Sequence, residues 1–93
     1  MKARLITYTI SKQPISVQNQ IRKQLIGHND TSHKGKYKYR RNGLLDKIPH
    51  LKPSKSTIIA PLKESEQIIK LLNKYNATIK IYDIQIKESD LKE

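Results

Sequence analysis

Ninety-three residues allow one small domain with a single modest core and no deep enclosed pocket. Hydrophobic residues make up 35% of the chain and include no Trp or Phe, so the core rests on branched aliphatics and some of the five tyrosines; the lack of cysteine excludes a disulfide framework and any thiolate zinc site. Nineteen Lys and Arg against eight Asp and Glu give a formal charge of +11.

That charge is unevenly placed. Residues 1–32 hold five bases and one acid, residues 33–55 eight bases and only Asp46, and residues 56–93 six of each. A middle third this lopsided points to a polyanionic partner. The opening "MKARLITYTISKQP" alternates apolar with polar residues, unlike a secretory signal, and no run approaches the roughly 18 apolar residues of a membrane span. The expectation is a soluble cytoplasmic protein.

"ARLITYTI" (3–10) puts Ile6, Tyr8 and Ile10 on one face and Leu5, Thr7 and Thr9 on the other, which predicts a strand ended by Pro14. Val17, Ile21 and Leu25 fall at helical spacing and predict a helix over about 15–26, with Ser16 as a cap and Gly27 as its stop. "HNDTSHKG" has no apolar residue and reads as a polar loop. "KYKYRR" (36–41) alternates charge with aromatic rings and predicts a second strand, closed by the turn chemistry of Asn42-Gly43.

"LLDKIPHLKPS", with prolines at 49 and 53, reads as an irregular loop, and "KSTIIAP" as a short β-branched strand. "ESEQIIKLLNKYNA" carries the clearest helical stripe, Ile68, Leu71, Leu72 and Tyr75. Its acids Glu64 and Glu66 lie near the N-terminal end, and Asn76 is its expected cap. "TIKIYDIQIK" predicts the last strand, with a shift of apolar phase that suggests a bulge near Tyr82–Asp83. The order β-α-β-β-α-β matches the ferredoxin-like α+β class, an antiparallel sheet with two helices on one face. It predicts one domain over 1–88 and a frayed charged tail over 89–93.

An extended 34–40 would project Lys34, Lys36, Lys38 and Arg40 to one side, about 7 Å apart at roughly 3.4 Å per residue. That spacing suits a row of phosphates, whose binding would relieve the repulsion and release condensed ions. Tyr37, Tyr39 and Arg41 would face the other way, the rings serving the core or stacking on bases. The following loop adds Lys47, Lys52 and Lys55, while Leu44, Leu45, Ile48 and Leu51 anchor it. Arg4, Arg22 and Lys23 add to the field. Lysine on an edge strand also guards against edge-to-edge aggregation, the competing reading of the same residues.

Neither helix is basic enough to read a major groove, so binding is expected to grip the backbone with little sequence preference, RNA slightly ahead of DNA. Three histidines, His28, His33 and His50, fall in predicted loops near the basic region and make metal-independent RNA cleavage the alternative. A further alternative is a small dimeric interaction or regulatory module. Asp30, Asp46 and Asp83 are too scattered for a Mg²⁺ centre, and no phosphate loop or dinucleotide fingerprint is present, so no metal and no cofactor is expected.

Overall fold

The computed structural model describes residues 1–32 and 37–91. The chain is α+β, and its described residues form two helices, a four-stranded antiparallel sheet and a separate two-stranded sheet. In chain order these are β1 (Lys2–Thr9), α1 (Ile15–Ile26), β2 (Gly27–Ser32), β3 (Tyr37–Asn42), β4 (Leu51–Ser54), β5 (Thr57–Pro61), α2 (Leu62–Lys74) and β6 (Thr78–Gln85). Short 3-10 turns cover Leu44–Lys47 and Glu88–Asp90. None of the described helices is long and apolar enough to cross a membrane.

The large sheet runs β4-β5-β1-β6, so β1 is interior and pairs antiparallel with both β5 and β6. Alternation along β1 directs Arg4, Ile6 and Tyr8 toward the helices. Ile6 is fully buried with Ile58 of β5, Ile21 and Leu25 of α1, and Ile68 and Leu72 of α2. Each of these side chains contributes about 1.5–3 kcal/mol by leaving water. Among the described residues Tyr8 is the one aromatic residue buried in this core, and its hydroxyl donates to the Lys55 carbonyl (3.0 Å), which satisfies the polar end of the ring. On the opposite face the register sets Leu51, Ile59, Leu5 and Tyr82 in one row across all four strands.

α1 begins after Pro14 rather than under a Ser16 cap: no side-chain oxygen caps it. Buried Gln18 ties its first turn to the preceding loop instead, donating Nε2 to the Gln13 carbonyl (2.8 Å). Gly27 ends the helix as expected, at φ +88. α2 buries Ser65, Ile68 and Leu72 and closes in a Schellman motif. Asn76 adopts φ +58, and the N–H groups of Asn76 and Ala77 return to the carbonyls of Asn73 and Leu72.

Three expectations are corrected. The polar stretch read as a loop is β2, which pairs with β3 from Gly27↔Asn42 to Ser32↔Tyr37. The basic strand therefore belongs to a separate hairpin and not to the main sheet. None of the described side chains of β2 and β3 belongs to the apolar core, so the ladder needs no apolar alternation and β2 carried none. The edge place expected for residues 34–40 is taken by β4, with Pro53 tolerated where no ladder N–H is needed. The bulge expected near Tyr82–Asp83 is absent, since β1 and β6 pair without a break from Lys2↔Gln85 to Thr9↔Thr78. The register shift lies between β4 and β5 instead. β6 is an edge with both faces partly wet, which lets its isoleucines change side without a bulge.

Candidate nucleic-acid interface

The hairpin leaves the body at a close backbone crossing. Gly43 lies against the backbone of Gly27, and a Cβ built on Gly27 would stand 2.5 Å from the Arg41 carbonyl oxygen and 2.6 Å from Arg40 Nη2. Asp46, in the 3-10 turn after β3, accepts the Gly43 N–H (2.8 Å) and Arg40 Nη2 (3.1 Å) through one oxygen. Arg40 also donates to the Ile26 carbonyl at the end of α1 (2.5 Å). Arg40 is thus a strut joining β3, α1 and the 3-10 turn.

Arg41 faces the other side of the hairpin. Its Nε donates to Asp30 on β2 (3.3 Å), its Nη2 to the Tyr39 hydroxyl (3.0 Å), and its guanidinium lies 4.8 Å from the Tyr39 ring centre. The Thr31 N–H, first, and the Arg41 guanidinium hold the Asp30 carboxyl below its usual range. Tyr39 is 40% exposed and lies outside the core.

Of the other predicted binding residues, Lys34 and Lys36 lie outside the described residues, as does His33; Tyr37 enters only through its backbone pairing with Ser32. Lys38 is exposed on β3 opposite Thr31. Lys47 is exposed at the end of the 3-10 turn; Leu45 of that turn and Ile48 just after it are buried in the core with Leu44 packed against them, as expected, whereas Leu51 lies in the row on the opposite face of the sheet. Lys52 is half-buried and donates Nζ to the carbonyls of Ser54 (3.0 Å) and Lys55 (2.5 Å), bracing the β4–β5 turn. Burial first, and then the Lys55 charge, push its ammonium below the usual lysine value.

Lys52 and Lys55 meet a residue that the sequence placed only in the general field, Arg22 of α1. A groove of about 390 Å³ runs between α1 and the β4–β5 turn, with these three cations beside an apolar floor of Ile10 and Ile26 over the buried Tyr8. The sequence signal was available: Arg22 follows buried Ile21 and so flanks the core-facing side of α1. Arg4, by contrast, is neutralised by Glu66 (2.8 Å) and Asp83 (3.5 Å).

Of the two described histidines, His28 departs from the expected loop and His50 stays in the connection before β4. His28 is in β2, with Nδ1 buried and unpartnered among the described residues, and His50 forms an isolated bridge, its Nδ1 donating to the Ile48 carbonyl (2.8 Å). Among the described residues no three His, Asp or Glu gather in a metal-binding group. No family model, curated protein or solved structure matches the chain.

Proposed function

We propose that this protein binds nucleic acid through its phosphates, with RNA slightly favoured over DNA and little sequence preference. One observation carries the reading. The surplus charge of residues 33–55 includes Lys38, Lys47, Lys52 and Lys55, none of which has an acidic partner among the described residues. Arg40 and Arg41 are engaged by Asp46 and Asp30, which orients the hairpin, and a guanidinium with five donors keeps some for a ligand. Exposed Tyr39, stacked with Arg41, offers a ring face for an unpaired base. Lys34, Lys36 and Tyr37 enter this reading by their charge and ring in the sequence alone.

The architecture fits. The order β4-β5-β1-β6 with two helices is a ferredoxin-like sheet in our reading, with β2–β3 as an extra hairpin between α1 and β4. A cytoplasmic location goes with a nucleic-acid partner. The test is binding to single-stranded RNA, duplex RNA and duplex DNA in parallel over a range of salt. The expected result is salt-sensitive binding to all three, tightest to an RNA. Salt-insensitive retention, or none, refutes the proposal.

A further inference from the structure

The groove between α1 and the β4–β5 turn collects more positive charge than a passing phosphodiester needs. Lys52 is close enough to Lys55 for the second charge to depress the first, and Arg22 is close enough to Tyr8 to oppose the upward push that burial gives that phenol. No carboxylate lines the groove, and none of the three cations forms an ion pair among the described residues. Donors remain available. Two of the three ammonium hydrogens of Lys52 go to turn carbonyls, and Arg22 spends only two long contacts of 3.4 Å, on Asn19 and Gln18.

Three charges exceed the single charge of a phosphodiester. They suit a phosphate monoester, which carries about −1.5 to −2 near neutral pH. The floor is a different surface from the rim: half-buried Ile10 and exposed Ile26 present apolar atoms beside the cations, over the buried Tyr8, as a base or ribose face would require. A volume of about 390 Å³ accommodates one such unit; small-molecule clefts span roughly 300–1,000 Å³.

We propose that this groove binds a nucleotide through a phosphate monoester, held among Arg22, Lys52 and Lys55 with its base or sugar against the apolar floor. The inference rests on the nucleic-acid reading and deepens it. The same chemistry is offered by the phosphorylated end of a strand and by a free mononucleotide.

The test uses the full chain and an internally labelled eight-nucleotide single-stranded RNA with a 5′-phosphate, a 3′-phosphate or hydroxyl ends, followed by anisotropy. At least one phosphorylated end should tighten binding about tenfold at pH 7.5. That gain should shrink as pH falls through about 6, where the monoester takes up its second proton. The double variant Arg22→Gln/Lys55→Gln should abolish the gain; both side chains are exposed, so the fold tolerates the change. Competition by micromolar adenosine or uridine monophosphate would assign the site to the free nucleotide, and competition only at millimolar levels to the strand end. Equal, salt-sensitive binding of all three RNAs overturns the groove assignment and leaves the wider reading standing. A gain that survives the double variant also overturns it, and failure of every RNA and both mononucleotides to bind overturns both.

Discussion

Replacing Gly27 with alanine separates the hairpin from the body more sharply than any charge substitution. Gly27 sits at φ +88 and ψ 178, a region occupied almost only by glycine, where another residue costs about 1–3 kcal/mol. The added Cβ would also meet the Arg41 carbonyl oxygen at 2.5 Å and the Gly43 nitrogen at 2.8 Å, both backbone atoms that cannot swing aside. Strain and displacement together come to about 3 kcal/mol. A chain of this length has a total stability of about 5–14 kcal/mol. The core of Ile6, Ile58, Ile68 and Leu72 includes none of the described side chains of the hairpin, so the least costly relief is to open β2–β3 locally. Amide hydrogen exchange is the assay. Interior amides of β2 and β3 should exchange roughly 100-fold faster in Gly27→Ala, while those of β1 and β5 keep their protection; each 1.4 kcal/mol is about tenfold. Unchanged hairpin protection would refute the reasoning, because the glycine would then not be required at the crossing.

Other consequences concern the core and the hairpin's own acid. Ile68→Ala removes a fully buried side chain between α2 and the sheet and should lower stability by about 2–5 kcal/mol, read as an earlier urea midpoint; an unshifted midpoint would show that α2 does not supply the core. Because the folded state holds Asp30 below its usual 3.8, the stability that this carboxylate contributes is present above that value and is lost as pH falls through the lower folded one. A carboxyl-carbon NMR titration should place the Asp30 midpoint below 3.8, and Arg41→Gln should move it back toward 3.8; a midpoint at or above 3.8 contradicts the Thr31 and Arg41 contacts. Val at position 76 should destabilise the protein relative to Gly there, since Asn76 holds a left-handed φ of +58 that a β-branched residue resists, and equal thermal midpoints for the two variants would remove that argument.

The sequence was most legible where one face of an element is buried. Ile6 and Tyr8 in β1, Ile21 and Leu25 in α1, and Ile68 and Leu72 in α2 stand at the spacing of their elements, and all six reach the core. It was least legible where the backbone ladder alone defines the element. "HNDTSHKG" offers no side-chain period, yet Gly27–Ser32 pairs along its length, because its partner is a strand rather than the core. β4 was hidden by Pro53 and by its four-residue length, both of which an edge tolerates. The candidate site divides in the same way. The abundance of positive charge in the central third is plain from composition. Which cations are spent internally is not, because Arg40 finds Asp46 through a turn and Arg41 finds Asp30 across a ladder. The juxtaposition of Arg22 with Lys52 and Lys55 joins a helix to a distant hairpin turn and needed the tertiary packing.

The dependence of single-stranded RNA affinity on salt, measured for the native chain and for the triple variant Lys38→Gln/Lys47→Gln/Lys55→Gln, tests the central claim most directly. Each phosphate contact contributes about 0.7 to the slope of log K against log salt on a single strand, so the variant should flatten that slope by about 2 while keeping the native fold. A native slope near zero, or a variant slope equal to the native one, would mean that these lysines meet no phosphates.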